Sequence, residues 1–193
     1  MTTLAEYPVL WILALVAIQR LSELWLAETN TRRLKAHGAR EVGAGHYPLF
    51  VLLHGSWLAA ILATTPWTRQ PDWMLIGLFA LMQFARFWVV SSLGPYWTTR
   101  IITLDGAALV RRGPYRWVRH PNYWVVTIEI ATLPLAFGNW PVAALWSALN
   151  AALLWYRIRM EEQALAGRRL NTDAPPEGEL SRSDRGGGRL RRR

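Results

Sequence analysis

The sequence predicts an all-α integral membrane bundle of about five transmembrane helices, the last two forming a tight helical hairpin. Three observations predict it. Five stretches approach the roughly 20 apolar residues that cross a bilayer core. The basic residues collect on one side of those stretches: of the 22 Lys and Arg, all but Arg20, Arg69 and Arg86 follow the first, third or fifth. Several of the 12 Trp stand at stretch ends, where aromatic rings mark membrane interfaces. Average composition hides this pattern. The 193 residues are 52% apolar and carry a formal net charge of +9, but that charge belongs to loops and tail. A small basic nucleic-acid binder is therefore a poor reading, and no nucleic-acid partner is expected. There is no Cys, which excludes disulfides, thiolate metal sites, Cys nucleophiles and lipid anchoring of this chain through Cys. No metal site is expected.

The first apolar stretch covers about residues 8–27. The segment before it carries Glu6 and no Lys or Arg, the reverse of a signal peptide's basic start. The second covers about 47–65 and the third about 73–93. The fourth, about 123–137, and the fifth, about 140–156, are separated only by Gly138-Asn139, with Pro141 just inside the fifth. That turn signal is too short for a domain between them. None of the runs alternates with period two, so strands are excluded. Arg32, Arg33, Lys35 and Arg40 follow the first stretch, and Arg100, Arg111, Arg112, Arg116 and Arg119 follow the third. Ten more basic residues follow the apolar part of the fifth. The positive-inside rule then places the N-terminus outside and the C-terminus in the cytoplasm. Trp67, Trp73 and Trp140 are expected at the outer interface, and Trp25, Trp97, Trp117 and Trp124 at the inner one. A membrane domain over 1–165 and a disordered, Arg-rich cytoplasmic tail over 166–193 complete the organisation. Arg189–Arg193 would either contact anionic lipid headgroups or lie solvated.

Arg20, Glu23, Arg86 and Glu129 fall in or near spans. A mid-span charge costs on the order of 2.5–3.5 kcal/mol even on the lenient insertion scale, so each needs a partner or a wet cavity. Arg20 and Glu23 are spaced to pair on one helix, and Arg86 and Glu129, on different spans, could pair across them. The same four residues would also suit a polar cavity open to the cytoplasm. Asn122 and Glu129 share a helix face, which would carry the cavity toward the loop before the fourth span. His54, alone on an apolar span, reads as a hydrogen-bonded packing residue rather than a catalyst.

The loop before the fourth span runs Gly113-Pro114-Tyr115-Arg116-Trp117-Val118-Arg119-His120-Pro121-Asn122-Tyr123-Trp124. Pro121 disfavours helix at His120 and suits the first helical position. Arg119 and His120 then lie at a helix N-terminus, whose free N–H groups attract anions. Arg119 adds a planar fork for carboxylate or phosphate, and Tyr115, Trp117, Tyr123 and Trp124 offer faces that attract cations. An interfacial loop seated among lipid headgroups is the plainer alternative. The fifth span ends in Tyr156-Arg157-Ile158-Arg159-Met160-Glu161-Glu162. A hairpin of spans four and five returns this end beside His120. Arg119, His120, Arg157, Glu161 and Glu162 could then line one pocket for a zwitterion and a nucleoside. Arg157 and Glu161 could instead be a simple helix pair.

The Gly-Pro-Tyr segment, the Arg119-His120-Pro121-Asn122-Tyr123 core, the hairpin and the Arg157-x-Arg159-x-Glu161-Glu162 ending resemble the isoprenylcysteine carboxyl methyltransferase family. Arg20-x-x-Glu23 and Leu93-Gly94-Pro95-Tyr96-Trp97-Thr98 are similar to segments of its small bacterial members, and the likeness covers about residues 8–165. The resemblance implies an S-adenosyl-L-methionine cofactor at the cytoplasmic ends of the last helices. It implies cofactor binding by Tyr115, Arg119, His120, Pro121, Asn122, Tyr123, Glu161 and Glu162, with Arg119, His120 and Arg157 as catalytic residues. Arg20, Glu23, Arg86 and Glu129 are the cavity residues. Where eukaryotic members continue with Gly-x-x-Tyr, this chain turns to Gly167-Arg168-Arg169. Small bacterial relatives are also similar to methyltransferases of long-chain polyketide pyrones and phenolic lipids. The expected reaction is O-methylation of a lipophilic acceptor at the inner interface, either an isoprenylcysteine-type carboxylate or a lipid hydroxyl, with membrane lipids as neighbours. Methyl transfer from a sulfonium requires alignment and exclusion of water. His120 would take a proton if the acceptor is a hydroxyl. The alternatives are an NADPH-dependent membrane reductase and a phospholipid N-methyltransferase. Gly43-Ala44-Gly45 lacks the third Gly and preceding strand of a dinucleotide fingerprint, which excludes a soluble Rossmann methyltransferase.

Overall fold

A computed structural model describes residues 6–42, 47–104 and 110–173, with side chains described up to residue 162. Five α-helices form the bundle: α1 (Pro8–Ala36), α2 (Tyr47–Thr64), α3 (Trp73–Leu93), α4 (Pro121–Ala136) and α5 (Trp140–Asp173). Two short strands, β1 (Arg40–Val42) and β2 (Ile101–Thr103), lie in the α1–α2 and α3–α4 connections. The helical membrane bundle thus follows the sequence expectation. By length and composition, α1, α2 and α3 are each long and apolar enough to cross a membrane. The helix α4 has 16 residues, and α5 keeps its apolar character only in its first half.

Helix ends follow local chemistry. Pro8 sits in the first turn of α1, where its missing N–H costs nothing. Asp72 caps α3 by accepting from the N–H groups of Met74 and Leu75, an arrangement worth about 1 kcal/mol. The Asp72 N–H also donates to the Ala136 carbonyl at 2.7 Å, tying the start of α3 to the end of α4. The α4–α5 turn uses Gly138 at φ 72°. Asn139 then donates to the Thr64 and Thr65 hydroxyls at 2.7 and 2.9 Å, fastening the hairpin to α2.

Two helices run past their expected ends. Beyond Ala27, α1 buries Ala27, Asn30, Thr31 and Leu34, a stripe with the spacing of one helix face. Asn30 donates to the carbonyls of Gly94 and Trp97, at 3.1 and 2.9 Å. The backbone of α5 stays helical to Asp173, so the first residues of the expected disordered tail are helical. Glu161–Leu170 is rich in Glu, Gln, Ala, Leu and Arg, all good helix formers. The rest of that tail, 174–193 with the Arg189–Arg193 cluster, lies outside the described residues.

The main core joins Val9, Ile12, Leu13 and Val16 of α1 to Leu53, Trp57 and Ile61 of α2 and Val126, Ile130 and Leu133 of α4. Outward faces carry Met74, Phe84 and Phe87, each more than 70% exposed, as lipid-facing surfaces require. Trp67, Trp73, Trp140, Trp25, Trp117 and Trp124 are all exposed. Trp97 departs from the belt expectation. It is 4% exposed and packs against Ala27 and Val89, because the turn Gly94–Tyr96 folds the chain back onto α1.

The strands pair antiparallel, with Glu41 opposite Ile102. Glu41 anchors this clasp, accepting from Lys35 at 2.5 Å and Arg100 at 3.0 Å. Arg100 also lies over the Tyr47 ring at 4.4 Å. Three-residue strands in polar loops carry no readable alternation, so the sequence did not announce them.

Candidate active site

The span charges condense into one network. Arg86 makes two bonds to the Glu129 carboxylate, at 3.1 and 2.5 Å, and one to Glu23 at 3.1 Å. Arg20 bridges the same two acids, at 3.2 Å to Glu23 and 2.7 Å to Glu129. Gln19 adds a bond to Glu23, and Gln83 one to Glu129. Glu129 is fully buried and Arg86 is 4% exposed. Two arginines against two carboxylates make the network neutral, which is what a low-dielectric surrounding requires. The local Arg20–Glu23 pair was legible from spacing, and the Arg86–Glu129 pair from the need of each mid-span charge for a partner. Their fusion, and the part of both glutamines, were not.

This network also borders a cavity of about 320 Å³, but Glu129, fully buried, is not part of its wall. Arg20, Glu23 and Arg86 line it, with Asn122, Tyr123 and Arg157 on the α4–α5 side. The remaining wall includes Leu21, Leu24, Val51, Leu58 and His54 from α1 and α2. His54 keeps the expected packing bond, Nδ1 to the Phe50 carbonyl at 2.9 Å, but its ring also faces the cavity.

The hairpin returns α5 beside the start of α4, as expected. Pro121 begins α4 and His120 is its N-cap. Tyr123 joins the two ends: its hydroxyl donates to Glu161 and accepts from Arg157 Nε at 2.9 Å. His120 stacks on Tyr123 with ring centres 5.1 Å apart, and its Nδ1 is 3.7 Å from Glu161. The Arg157 guanidinium also covers the Phe50 ring at 5.1 Å. Tyr115 stands near the same acid. Burial pushes its phenol well above the usual range, and the Glu161 charge adds to the effect.

The loop reaches this position through Gly113 and Arg112. Gly113 has φ 59°, and a Cβ there would collide with the Ser92 hydroxyl. Arg112 donates to the Ser92 carbonyl at 2.6 Å, clipping the loop to the end of α3.

Two expected residues stand differently. Arg119 has a side chain 74% exposed and is 3.9 Å from Glu162, itself 43% exposed. This pair forms a rim rather than a cavity wall. The helix beginning at Pro121 turns Asn122 and Tyr123 inward and leaves Arg119, before the cap, facing out. Arg157 is therefore the better placed cation. Phe50, Tyr47 and the Trp97–Thr99 strip were missed, since apolar or small residues on other elements carry no chemical signal.

A bound S-adenosylmethionine would bring donors in its ammonium, ribose hydroxyls and adenine amine, and a carboxylate that would need a cation such as Arg119 or Arg157. The residues present suit those groups. Among the described residues, His120 Nε2 and Asn122 Oδ1 are buried without a hydrogen-bond partner, although buried polar atoms normally find one. His120 caps α4 and stacks on Tyr123, and Asn122 lines the cavity beside Tyr123.

Residues 75–167 match the description Isoprenylcysteine carboxyl methyltransferase (ICMT) family. A relative in Bacillus subtilis (strain 168), titled Uncharacterized protein YpbQ, is 38% identical over 160 residues, covering 80% of this chain and 95% of its own. The chain belongs to the isoprenylcysteine carboxyl methyltransferase family. Membership makes it a membrane methyltransferase. The matched region of this family member holds the Arg119–Tyr123 core, the hairpin and Glu161. No solved structure matches the chain.

Proposed function

We propose that this protein transfers a methyl group from S-adenosylmethionine to an oxygen of a lipophilic acceptor at the cytoplasmic membrane interface. The observation that carries the proposal is the Tyr123 cluster. It joins α4 to α5 beside buried, unpaired acceptors and opens onto a cavity with a largely apolar wall. The positive-inside charge pattern supports a cytoplasmic position for this end of the bundle, with the N-terminus outside.

The donor supplies a methyl group on a cationic sulfur, open to in-line attack. The chain's own residues do the rest. Tyr115 offers a ring face suited to a cation, Glu161 and Asn122 Oδ1 accept from the donor's polar groups, and His120 Nε2 does so when its proton sits on Nδ1. Arg157, which makes no ion pair among the described residues, orients the acceptor oxygen and stabilises negative charge on it. The cavity wall excludes water and holds the acceptor's tail, so alignment rather than strong base chemistry dominates.

The test uses membranes carrying the protein, a labelled methyl donor and lipid extracts read by mass spectrometry. A labelled lipid that appears only with active protein, and vanishes with Arg157→Ala, is expected. Label found only on a lipid amine would favour phospholipid N-methylation instead. Purified protein that binds NADPH but not S-adenosylhomocysteine would favour a reductase.

A further inference from the structure

Arg159 takes no part in the Tyr123 cluster, although it follows Arg157 closely on α5. It is exposed, and it makes no ion pair among the described residues. Its guanidinium lies 4.0 Å from the centre of the Trp155 ring, which is itself 57% exposed. Ala148, Ala152, Trp155, Arg159 and Glu162 recur at alternating steps of four and three along α5, so they share one helix face. Ala148, Ala152, Trp155 and Arg159 are all exposed. From the apolar half of α5 toward its polar end, this face presents two small residues, an aromatic ring, a cation and an acid.

The loop before α4 meets the polar end of this face. Arg119 Nη1 is 3.9 Å from Glu162, which lies one turn of α5 beyond Arg159. Residues 110–119 hold Arg111, Arg112, Arg116 and Arg119 and no acid. Glu162 answers the Arg119 charge and leaves Arg159 uncompensated, so the seam between loop and helix is net positive.

An anion carrying a hydrocarbon chain matches this order. A phosphodiester suits the planar forks of Arg159 and Arg119. The glycerol region then lies beside Trp155, at the depth that such rings favour. An acyl chain follows the shallow track over Ala152 and Ala148. A soluble phosphate would leave the ring and the track uncovered. A zwitterionic headgroup carries its own cation, which cancels the charge that draws it.

We propose that the Trp155–Arg159 face of α5 docks one anionic phospholipid, whose phosphate bridges Arg159 to Arg119. The lipid thereby latches the loop before α4 to α5 from outside, as Tyr123 joins α4 to α5 from within.

The test titrates full-length protein in a neutral detergent with phosphatidylglycerol or phosphatidylcholine, and native mass spectrometry counts the bound lipid. The first phosphatidylglycerol should bind roughly fivefold more tightly than phosphatidylcholine. Arg159→Gln should remove most of that preference. Arg33→Gln, which removes an exposed cation from α1, should keep it. Phosphatidylglycerol should also slow hydrogen exchange around Arg116–His120 in wild-type protein and leave it unchanged in Arg159→Gln. Equal binding of both lipids to wild-type protein overturns the proposal without any variant. Equal losses in Arg159→Gln and Arg33→Gln overturn it in favour of diffuse surface charge. Glycerol phosphate that binds as tightly as the lipid overturns it in favour of a soluble anion. Preferential lipid binding that leaves loop exchange unchanged overturns the latch.

Discussion

Tyr123 and Glu161 lie 38 positions apart, on two helices, and share a hydrogen bond at the end of the hairpin. The same Tyr123 hydroxyl accepts from Arg157, so one phenol holds an acid and a base in register. Tyr123→Phe removes both bonds while keeping the ring under His120. Unpaired buried groups cost on the order of 1–3 kcal/mol. S-adenosylhomocysteine affinity should fall about tenfold by calorimetry, with little change in folded content. Unaltered affinity would mean that the cluster is only structural.

The two candidate arginines should separate. Arg157 uses its planar group to bond Tyr123 and cover Phe50, and a lysine reproduces neither contact. Arg119 is a rim residue. Arg157→Lys should therefore cut methyl transfer by roughly tenfold or more, and Arg119→Lys by much less. Turnover of labelled donor in membranes decides between them, and the opposite order would restore Arg119 to the site.

The buried network should be intolerant of truncation. Glu129→Ala leaves Arg20 and Arg86 with one carboxylate between them. Removing one partner of a buried pair costs about 3–5 kcal/mol. Thermal unfolding in detergent should show a large drop in midpoint, and a midpoint close to wild type would show that lipid or water screens these charges.

Much of this was legible in the sequence, for definite reasons. Long apolar runs fix helices because an unpaired backbone is intolerable in lipid. A costly mid-span charge demands a partner, so Arg86 and Glu129 could be matched before any coordinates. The Gly138-Asn139 turn fixed the hairpin, and with it the meeting of His120 and Glu161. The continuation of α1 beyond Ala27 was hidden because its buried stripe includes Asn30 and Thr31, which look like loop residues. Trp97 looked like a belt residue because composition does not reveal a chain reversal. The exposure of Arg119 follows from where the helix cap falls, and a shift of one residue would change it.

The loop carrying the site depends on Gly113. Its positive φ and its closeness to Ser92 both oppose a side chain. Gly113→Ala should cost about 1–3 kcal/mol. It should also weaken S-adenosylhomocysteine binding, because Tyr115 and His120 follow on the same loop. Calorimetry and thermal melts check the two effects together.

The clasp should weaken in acid. Burial pushes the Glu41 carboxyl up, but hydrogen bonds and charge from Lys35 and Arg100 outweigh this and hold it below its ordinary value of 4.5. A depressed acid contributes stability above its ordinary value and loses it as pH falls through the folded value. The wild-type thermal midpoint should decline below pH 4.5, and Glu41→Gln should start lower and decline less. Parallel curves would exclude Glu41 as the source.

Hydrogen exchange of the wild-type protein with and without S-adenosylhomocysteine tests the joint seat most directly. Added ligand should slow exchange together in the segment around Tyr115–Tyr123 and in the end of α5 around Arg157–Glu162. Protection of one segment without the other, or of neither, would contradict a single site built from both.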